Sequence, residues 1–190
     1  ITVSHSFIAT ANAIRYCGAD PAFVDIDPRT YNMDPAALQR FLSEDCKKRD
    51  GLWFYGGPGG GATQSGRVAA VLAVHQLGLP CDLARILEVA RSFGLPVVED
   101  AACAAGSEWS SDGGRTWARI GKPHGDIACF SFHPRKIITT GEGGMLTTEN
   151  ADLDRTFRLL RQHGMSVPDT VRHGSASVVF ERYVMTAFNY

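Results

Sequence analysis

Short apolar runs alternate along this chain with segments whose apolar residues recur at helical spacing, and this alternation constrains the fold more than any other feature. The apolar runs lie at residues 68–74, 95–98, 127–132 and 145–148. Continuous apolar runs of this length are typical of strands that are covered on both faces. Their alternation with helices predicts an α/β fold, a three-layer domain with a mainly parallel sheet whose ligands bind beyond the carboxyl ends of the strands.

Capping residues mark the helices between these runs. Phe7, Ala11 and Ile14 recur at helical spacing and predict a helix over about residues 7–17. A helix also needs an acceptor for its first free N–H groups and, at its end, a residue that tolerates the left-handed conformation. The sequence supplies three predicted N-caps (Asp34, Asp82 and Asn150) and three terminating glycines (Gly18, Gly94 and Gly164).

One segment interrupts the alternation. Residues 44–67 turn polar and then glycine-rich, with a glycine cluster at 56–61. Because clusters of glycine are typical of loops, we predict that this segment is a mobile loop. The cluster lacks the lysine and hydroxyl residue of a phosphate-binding P-loop, so a nucleotide-binding loop is the weaker interpretation.

Charge and hydrophobicity exclude several classes of partner. The 190 residues include 19 Lys and Arg and 20 Asp and Glu, which gives a formal net charge of -1. A nearly neutral chain has no electrostatic attraction for nucleic acid or for an anionic membrane surface. No apolar run approaches the roughly 18 residues that a membrane span requires. We therefore expect a small-molecule partner, with no nucleic acid and no membrane.

Cysteine and histidine usage indicates the compartment and the absence of a metal site. The five cysteines are an odd number, scattered along the chain and without disulfide-framework or zinc spacing, which favours a reducing cytoplasm. The six histidines show no paired metal-ligand spacing, so we predict no metal. The chain begins inside a predicted strand and stops without a closing element, so we expect residues 1–190 to be one large domain that is incomplete at both ends.

Two acids follow the apolar run at 95–98. Glu99 and Asp100 are presented at the carboxyl end of this predicted strand, where α/β proteins build their ligand sites. Acids at strand ends are also common as solvated turn formers, and position alone leaves both interpretations open.

A hydroxyl and an amine follow the run at 127–132. Ser131 lies at the end of this run, Pro134 turns the chain out of the sheet, and Lys136 comes directly after. A partly desolvated lysine is a nucleophile, although a lysine in a loop is usually solvated. The pairing of an acid and a lysine at two strand ends favours a catalytic site.

Segments in this order and spacing resemble the DegT/DnrJ/EryC1/StrS aminotransferases. The resemblance spans nearly the whole chain, and residues 44–67 and 107–121 resemble insertions or variable loops. It is carried by these segments: 7–12 (FIATAN), 23–27 (FVDID), 99–102 (EDAA), 131–136 (SFHPRK), 141–144 (GEGG) and 158–164 (RLLRQHG).

The resemblance implies a fold-type I enzyme that uses pyridoxal phosphate, aspartate-aminotransferase-like in its large domain. Lys136 occupies the position of the family's Schiff-base lysine, and Asp100 that of the acid facing the pyridine nitrogen. Ser131 matches the serine that binds the cofactor phosphate. The implied reaction transfers an amino group from an amino acid, with L-glutamate expected, to a nucleotide-linked keto sugar, with cyclitols as an alternative substrate.

Three further site residues are implied by the resemblance. Phe7 matches the aromatic residue that stacks on the pyridine ring, although an aromatic at this helical position is more often part of the core. Asn189 resembles the asparagine that a neighbouring subunit offers to the phosphate, which implies a homodimer with shared sites. Cys103 stands where many relatives carry a glutamine or histidine near the ring oxygen, and a thiol is only a weak donor.

Other departures keep rival interpretations open. The Gly-Thr segment that precedes this region in the family, and the small C-terminal domain, are absent from the sequence. A fragment with this fold and no catalysis is therefore one alternative. The sugar dehydratases of the same family are another, but they carry histidine in place of the lysine, and His133 lies three residues before Lys136.

Overall fold

The computed structural model describes residues 1–57, 65–167 and 169–188, and these form two compact units, Ile1–Thr147 and Thr148–Tyr190. In its described residues, the first unit contains three α-helices and all of the paired strands. Its elements are β1 (Thr2–Val3), α1 (Ile8–Tyr16), β2 (Phe23–Val24), α2 (Pro35–Arg40), β3 (Cys46–Arg49), β4 (Leu52–Tyr55), β5 (Gly66–Arg67), β6 (Val71–Val74), α3 (Leu83–Ser92), β7 (Val97–Asp100), β8 (Glu108–Trp109), β9 (Ala118–Arg119), β10 (Ile127–Ser131) and β11 (Gly144–Thr147).

The central sheet confirms the predicted α/β class. Its four strands have the order β11-β10-β7-β6, in which β6, β7 and β10 are parallel and β11 is antiparallel. Beside β6 lies β1, because the Leu72 N–H donates to the Ile1 carbonyl at 2.8 Å, and β1 pairs in parallel with β2. The carboxyl ends of β6, β7 and β10 and the loops that follow them therefore lie along one edge of the sheet.

Each of the predicted N-caps is confirmed. The carboxylate of Asp34 accepts from the Ala36 N–H, Asp82 accepts from Arg85, and Asn150 accepts from Asp152 and Leu153. Such side-chain acceptors satisfy N–H groups that have no partner within the helix.

The end of α3 explains why β7 is displaced from the predicted run at 95–98. Gly94 has a φ of +67°, and the Leu95 N–H donates to the Ala90 carbonyl at 2.9 Å. This is the Schellman arrangement, in which the second residue after the helix still serves the helix end. Leu95 therefore closes α3, and the strand begins at Val97 and extends to Asp100.

The loop predicted at residues 44–67 is wrong over much of its length. After a π-helical turn at Phe41–Asp45, β3, β4 and β5 form a three-stranded antiparallel sheet. Asp50 and Gly51 join β3 to β4 with φ values of 48° and 78°, the conformation of a two-residue hairpin turn. The aromatic rings of β4 anchor this sheet, since Trp53 packs on Phe93 at 4.7 Å between centroids. The rest of the predicted glycine loop, at 58–64, lies outside the described residues.

Residues 107–121 are largely irregular and contain the short antiparallel pair β8 and β9. The core of the unit lies under the sheet and between α2 and α3, where Leu38, Leu42, Leu83 and Ile86 have no exposed surface. Its apolar side chains recur at helical spacing on both helices, as a buried helix face requires.

The second unit contains α4 (Ala151–Leu160) and α5 (Asp169–Gly174). α4 ends at Leu160, and the first left-handed residue after it is His163, with a φ of +55°, instead of the predicted Gly164. Gly164 follows with a φ of +70°, and its N–H donates to the Leu159 carbonyl at 2.9 Å. Met165 forms an isolated antiparallel bridge with Tyr183. In the described parts of both units, no helix is long and apolar enough to cross a membrane.

Candidate active site

The alternation of β7 separates the two acids at its end. Successive side chains of a strand point to opposite faces, so Glu99 and Asp100 cannot share an environment. Glu99 has no exposed surface, whereas Asp100 is partly exposed. Asp100 is therefore the acid that is available to a ligand, and Glu99 belongs to the interior.

The Asp100 carboxylate is held from two directions. The Thr10 hydroxyl on α1 donates to Asp100 Oδ2 at 2.8 Å, and the Ala102 N–H donates to Oδ1 at 3.2 Å. Thr10 is itself buried and hydrogen-bonded to the Ser6 hydroxyl at 2.7 Å. These contacts fix the orientation of the carboxylate and leave it acceptor capacity, because its two oxygens offer about four lone-pair sites.

Lys136 approaches this strand end from the loop after β10. The loop folds back on itself, since the Lys136 N–H donates to the His133 carbonyl at 2.9 Å and the Thr140 N–H donates to the Phe132 carbonyl at 3.1 Å. The Lys136 Nζ donates to Cys103 Sγ at 3.1 Å, and both side chains are half-buried. Cys103 lies three residues after Asp100, so the structure brings Lys136, Cys103 and the Asp100 segment together.

Ser131 is the last residue of β10, and Phe7 directly precedes α1. The Ser131 hydroxyl at the end of β10 accepts from the His133 N–H at 3.3 Å, and its own proton remains able to donate. Phe7 is the residue before α1, three positions from Thr10, and its side chain is 74% exposed. The alternative of a buried core position for Phe7 is therefore wrong, and its ring is open to a ligand.

Glu99 ties the neighbouring strands together beneath the site. It faces His75 Nε2 at 3.1 Å through Oε2, while Oε1 accepts from the N–H groups of His124 at 2.9 Å and Gly125 at 2.6 Å. Burial raises the pKa of Glu99, but these hydrogen bonds outweigh it and hold the pKa below its ordinary value. The His75 Nδ1 accepts from the Cys81 N–H at 3.1 Å, so the ring proton lies on Nε2 and is donated to Glu99.

Sequence reasoning missed Thr10 and the roles of His75 and Glu99. Thr10 is inside the segment 7–12 that resembles the family, but its contact with Asp100 spans 90 residues. The signal for Glu99 was the period of two along β7, which assigns one acid of an adjacent pair to each face. Asn189 lies outside the described residues. In the described ranges, no group of three or more His, Cys, Asp or Glu side chains is placed to hold a metal ion.

Comparison with known proteins identifies the family. The model of the DegT/DnrJ/EryC1/StrS aminotransferase family matches residues 1–189. The chain belongs to this family. Its members use pyridoxal phosphate, and the solved structures it resembles have the fold-type I architecture.

Individual relatives are sugar aminotransferases. The chain is 42% identical over 165 residues to GDP-perosamine synthase of Caulobacter vibrioides, covering 87% of the chain and 37% of the relative. It is 37% identical over 165 residues to the UDP-N-acetyl-3-dehydro-alpha-D-glucosamine 3-aminotransferase of Acidithiobacillus ferrooxidans, covering 86% and 37%. The chain thus spans about two-fifths of the length of these relatives.

Solved structures agree at the level of the fold. The structure of DesI in the presence of its TDP-sugar product has a TM-score of 0.67 and 32% identity, covering 88% of this chain and 36% of that one. An aminotransferase from Psychrobacter cryohalolentis has a TM-score of 0.74 and 26% identity, covering 99% and 40%.

The residues of this site fit pyridoxal phosphate. The cofactor needs an acid for its ring nitrogen, a primary amine for its aldehyde and hydrogen-bond donors for its phosphate. Asp100 is an oriented carboxylate, Lys136 is a half-buried primary amine in contact with Cys103, three residues after Asp100, and the Ser131 hydroxyl can donate. The exposed ring of Phe7 offers an apolar surface close to the same edge.

Proposed function

We propose that this chain is the cofactor-binding part of a pyridoxal-phosphate-dependent aminotransferase that moves an amino group from an amino acid, with L-glutamate expected, to a nucleotide-linked keto sugar. One observation carries this proposal: Asp100 and Lys136 lie at the same edge of the parallel sheet. Asp100 accepts a hydrogen bond from Thr10, and Lys136 donates one to Cys103. The names of the sugar aminotransferases to which the chain is similar support the substrate class.

Lys136 has two tasks in this proposal. As a primary amine it holds the cofactor by a covalent bond that an incoming amino-acid amine can replace. Once displaced, the neutral Lys136 Nζ acts as a general base and takes a proton from the Cα of the donor. It then acts as a general acid and returns this proton to the cofactor. The bound cofactor supplies the electron-accepting ring that protein side chains lack.

Asp100 and its support act through charge. A carboxylate facing the ring nitrogen favours the protonated form of that nitrogen, since an opposite charge at short range stabilises a cation. Thr10 keeps the carboxylate from rotating away, so the charge stays fixed during the reaction. Ser131 is proposed to donate to the phosphate, Phe7 to cover one face of the ring, and Cys103 to lie beside the ring oxygen.

Assembly and location are part of the same proposal. We propose a cytoplasmic homodimer in which Asn189 of one subunit completes the phosphate site of the other. The large exposed apolar side chains of α1, Ile8 and Tyr16, support an interface there, because exposed apolar surface is typical of contact sites. The five cysteines are free thiols, which fits a reducing compartment.

Absorption spectroscopy with pyridoxal phosphate tests the function. We expect the full-length protein to develop a visible band with the cofactor, and borohydride to fix the pyridoxyl group on the peptide that contains Lys136. Lys136→Ala is expected to abolish the band, while Lys122→Ala, which changes the lysine directly after the 107–121 segment, leaves it unchanged. A band that survives Lys136→Ala, or a reduced adduct on another lysine, overturns the assignment.

Addition of amino acids then tests the reaction. L-glutamate is expected to convert the bound cofactor to its amino form, which a shift of the absorption band records, and a nucleotide-linked keto sugar is expected to reverse the shift. If the cofactor attaches to Lys136 but no amino acid changes the band, transamination is refuted while the cofactor site stands.

A further inference from the structure

The contact between Lys136 and Cys103 joins two nucleophiles. Lys136 Nζ and Cys103 Sγ lie 3.1 Å apart although they are separated by 33 residues. Both belong to segments with little freedom to separate. The His133 carbonyl and ring hold the backbone N–H groups of Lys136 and Arg135, so the amine is delivered from a fixed turn.

The backbone at Cys103 is fixed by a neighbouring turn. A Cβ added at Gly78 would lie 2.7 Å from the Cys103 carbonyl oxygen, so the two segments are in tight contact. The Ser107 hydroxyl donates to the Gly78 carbonyl at 2.6 Å and closes this contact from the other side. A thiol on such a segment remains beside the amine instead of sampling other partners.

Three of the other four cysteines are protected from oxidation by burial. Burial raises the pKa of Cys46 and of Cys129 to about 11, and it raises the pKa of Cys81 still further. Because the thiolate is the reactive form, burial protects these three. Cys17 is exposed and Cys103 is only half-buried, so both are accessible to a small oxidant.

We propose that Cys103 is a redox modification site that forms a reversible sulfur–nitrogen bond with Lys136 when a hydroperoxide reaches the protein without its cofactor. In the first step the Cys103 sulfur attacks one oxygen of hydrogen peroxide. The O–O bond breaks, the sulfur loses two electrons, and the products are a sulfenic acid and one water.

The second step needs no further oxidant. Lys136, after losing one proton to solvent, attacks the sulfenic sulfur with its neutral amine. The S–N bond forms, the S–O bond breaks, and the departing hydroxide takes a proton from the nitrogen to give a second water. The linked protein is thus lighter than the reduced protein by two hydrogen atoms. One thiol of dithiothreitol then attacks the Cys103 sulfur, which breaks the S–N bond, releases the Lys136 amine and leaves a mixed disulfide. The second thiol resolves that disulfide, so the Cys103 thiol is restored and dithiothreitol is oxidised to its cyclic disulfide.

The consequence rests on the proposed function, because the link occupies the amine that would attach the cofactor. Oxidised protein therefore fails to attach pyridoxal phosphate in proportion to the linked fraction, and dithiothreitol restores attachment. A protein already loaded with cofactor is protected, since its amine is engaged. The link itself depends only on the two side chains, so it is measurable whether or not the enzyme is active.

Peptide mass spectrometry tests the proposal. Full-length protein stripped of cofactor is treated with hydrogen peroxide and digested without reductant. We expect a cross-linked peptide pair that contains Cys103 and Lys136, is two hydrogens lighter than the sum of the separate peptides and disappears with dithiothreitol. Cys103→Ser is expected to abolish it, and Cys17→Ser, the matched change at the exposed cysteine, to leave it unchanged.

A second variant keeps the test independent of folding. Lys136→Arg retains the positive charge but removes the nucleophilic amine, so Cys103 is expected to persist as sulfenic acid and to be labelled by dimedone more than in the wild type. The proposal is overturned by equal dimedone labelling in both proteins, by a disulfide between Cys103 and another cysteine, or by oxidation of Cys17 with no cross-link. If the cross-link forms but untreated protein never attaches the cofactor, the proposed function fails and this inference stands.

Discussion

Replacing Glu99 with glutamine tests whether a charged, buried carboxylate holds the strand that presents Asp100. Glutamine has nearly the same shape, and its carbonyl oxygen can still accept from the N–H groups of His124 and Gly125. Its amide nitrogen, however, must face His75 Nε2, which carries the ring proton because Nδ1 accepts from Cys81. Two donors would then meet in the interior.

The structure sets the size of the effect. Leaving one buried donor unpaired costs about 1–3 kcal/mol, and the two retained bonds lose the extra strength of a charged acceptor, about 1 kcal/mol in all. We therefore expect Glu99→Gln to lower the free energy of unfolding by about 2–4 kcal/mol. That is a large share of the roughly 5–15 kcal/mol that stabilises a typical protein.

Urea and thermal unfolding measure the loss. For a chain of this size each kcal/mol lowers the melting temperature by about 2–4 °C. The pKa of Glu99 is lower in the folded protein than its ordinary value of 4.5, so its contribution is complete above that value and is lost as the pH falls through the folded-state pKa. The difference between wild type and Glu99→Gln should therefore narrow below about pH 4.5.

Glu108→Gln is the matched control. Glu108 is half-exposed and lies 3.6 Å from Arg119, and an exposed ion pair of this kind contributes about 0–1 kcal/mol. The reasoning is refuted if Glu99→Gln unfolds at the same urea concentration as Glu108→Gln, or if its deficit is unchanged from pH 7 to pH 4.

Two further changes test the support of the site. Thr10→Val removes the hydroxyl that donates to Asp100 Oδ2 and is expected to weaken cofactor binding about ten-fold, the equivalent of one hydrogen bond, in an absorbance titration; unchanged affinity would contradict the positioning role. Gly78→Ala is expected to destabilise the protein by about 1–3 kcal/mol in urea unfolding, because φ is +88° and the new Cβ meets the Cys103 carbonyl. Gly51→Ala is the control for backbone strain alone, because Gly51 has a φ of +78° and open space around it. An equal loss of stability in Gly51→Ala and Gly78→Ala would contradict the close contact between Gly78 and the Cys103 carbonyl.

Features encoded by neighbouring residues were predictable from the sequence. The caps at Asp34, Asp82 and Asn150 are local, since each carboxylate or amide reaches an N–H only two or three residues away. The alternation of buried strands and helices gave the parallel sheet, because strands covered by helices on their faces must be apolar throughout. The edge at which Asp100 and Lys136 emerge follows from that topology.

The hairpin of β3 and β4 shows a local signal that composition obscured. Asp50-Gly51 is among the strongest two-residue turn signals, and aromatic residues follow it at 53–55. The polar strand Cys46–Arg49 and the glycine cluster favoured a loop instead. This sheet forms because Trp53 and Tyr55 find ring partners in Phe93 and Phe41, which belong to other elements.

The sequence by itself determined the fold class, the helix ends and the pair of strand ends that carry Asp100 and Lys136. Tertiary structure alone decided that Thr10 holds Asp100 across 90 residues and that the Lys136 amine contacts Cys103 across 33. The physical reason is the range of the interactions. Caps and periodicities act within a few residues, whereas these contacts exist only after packing has placed separate loops at one edge of the sheet.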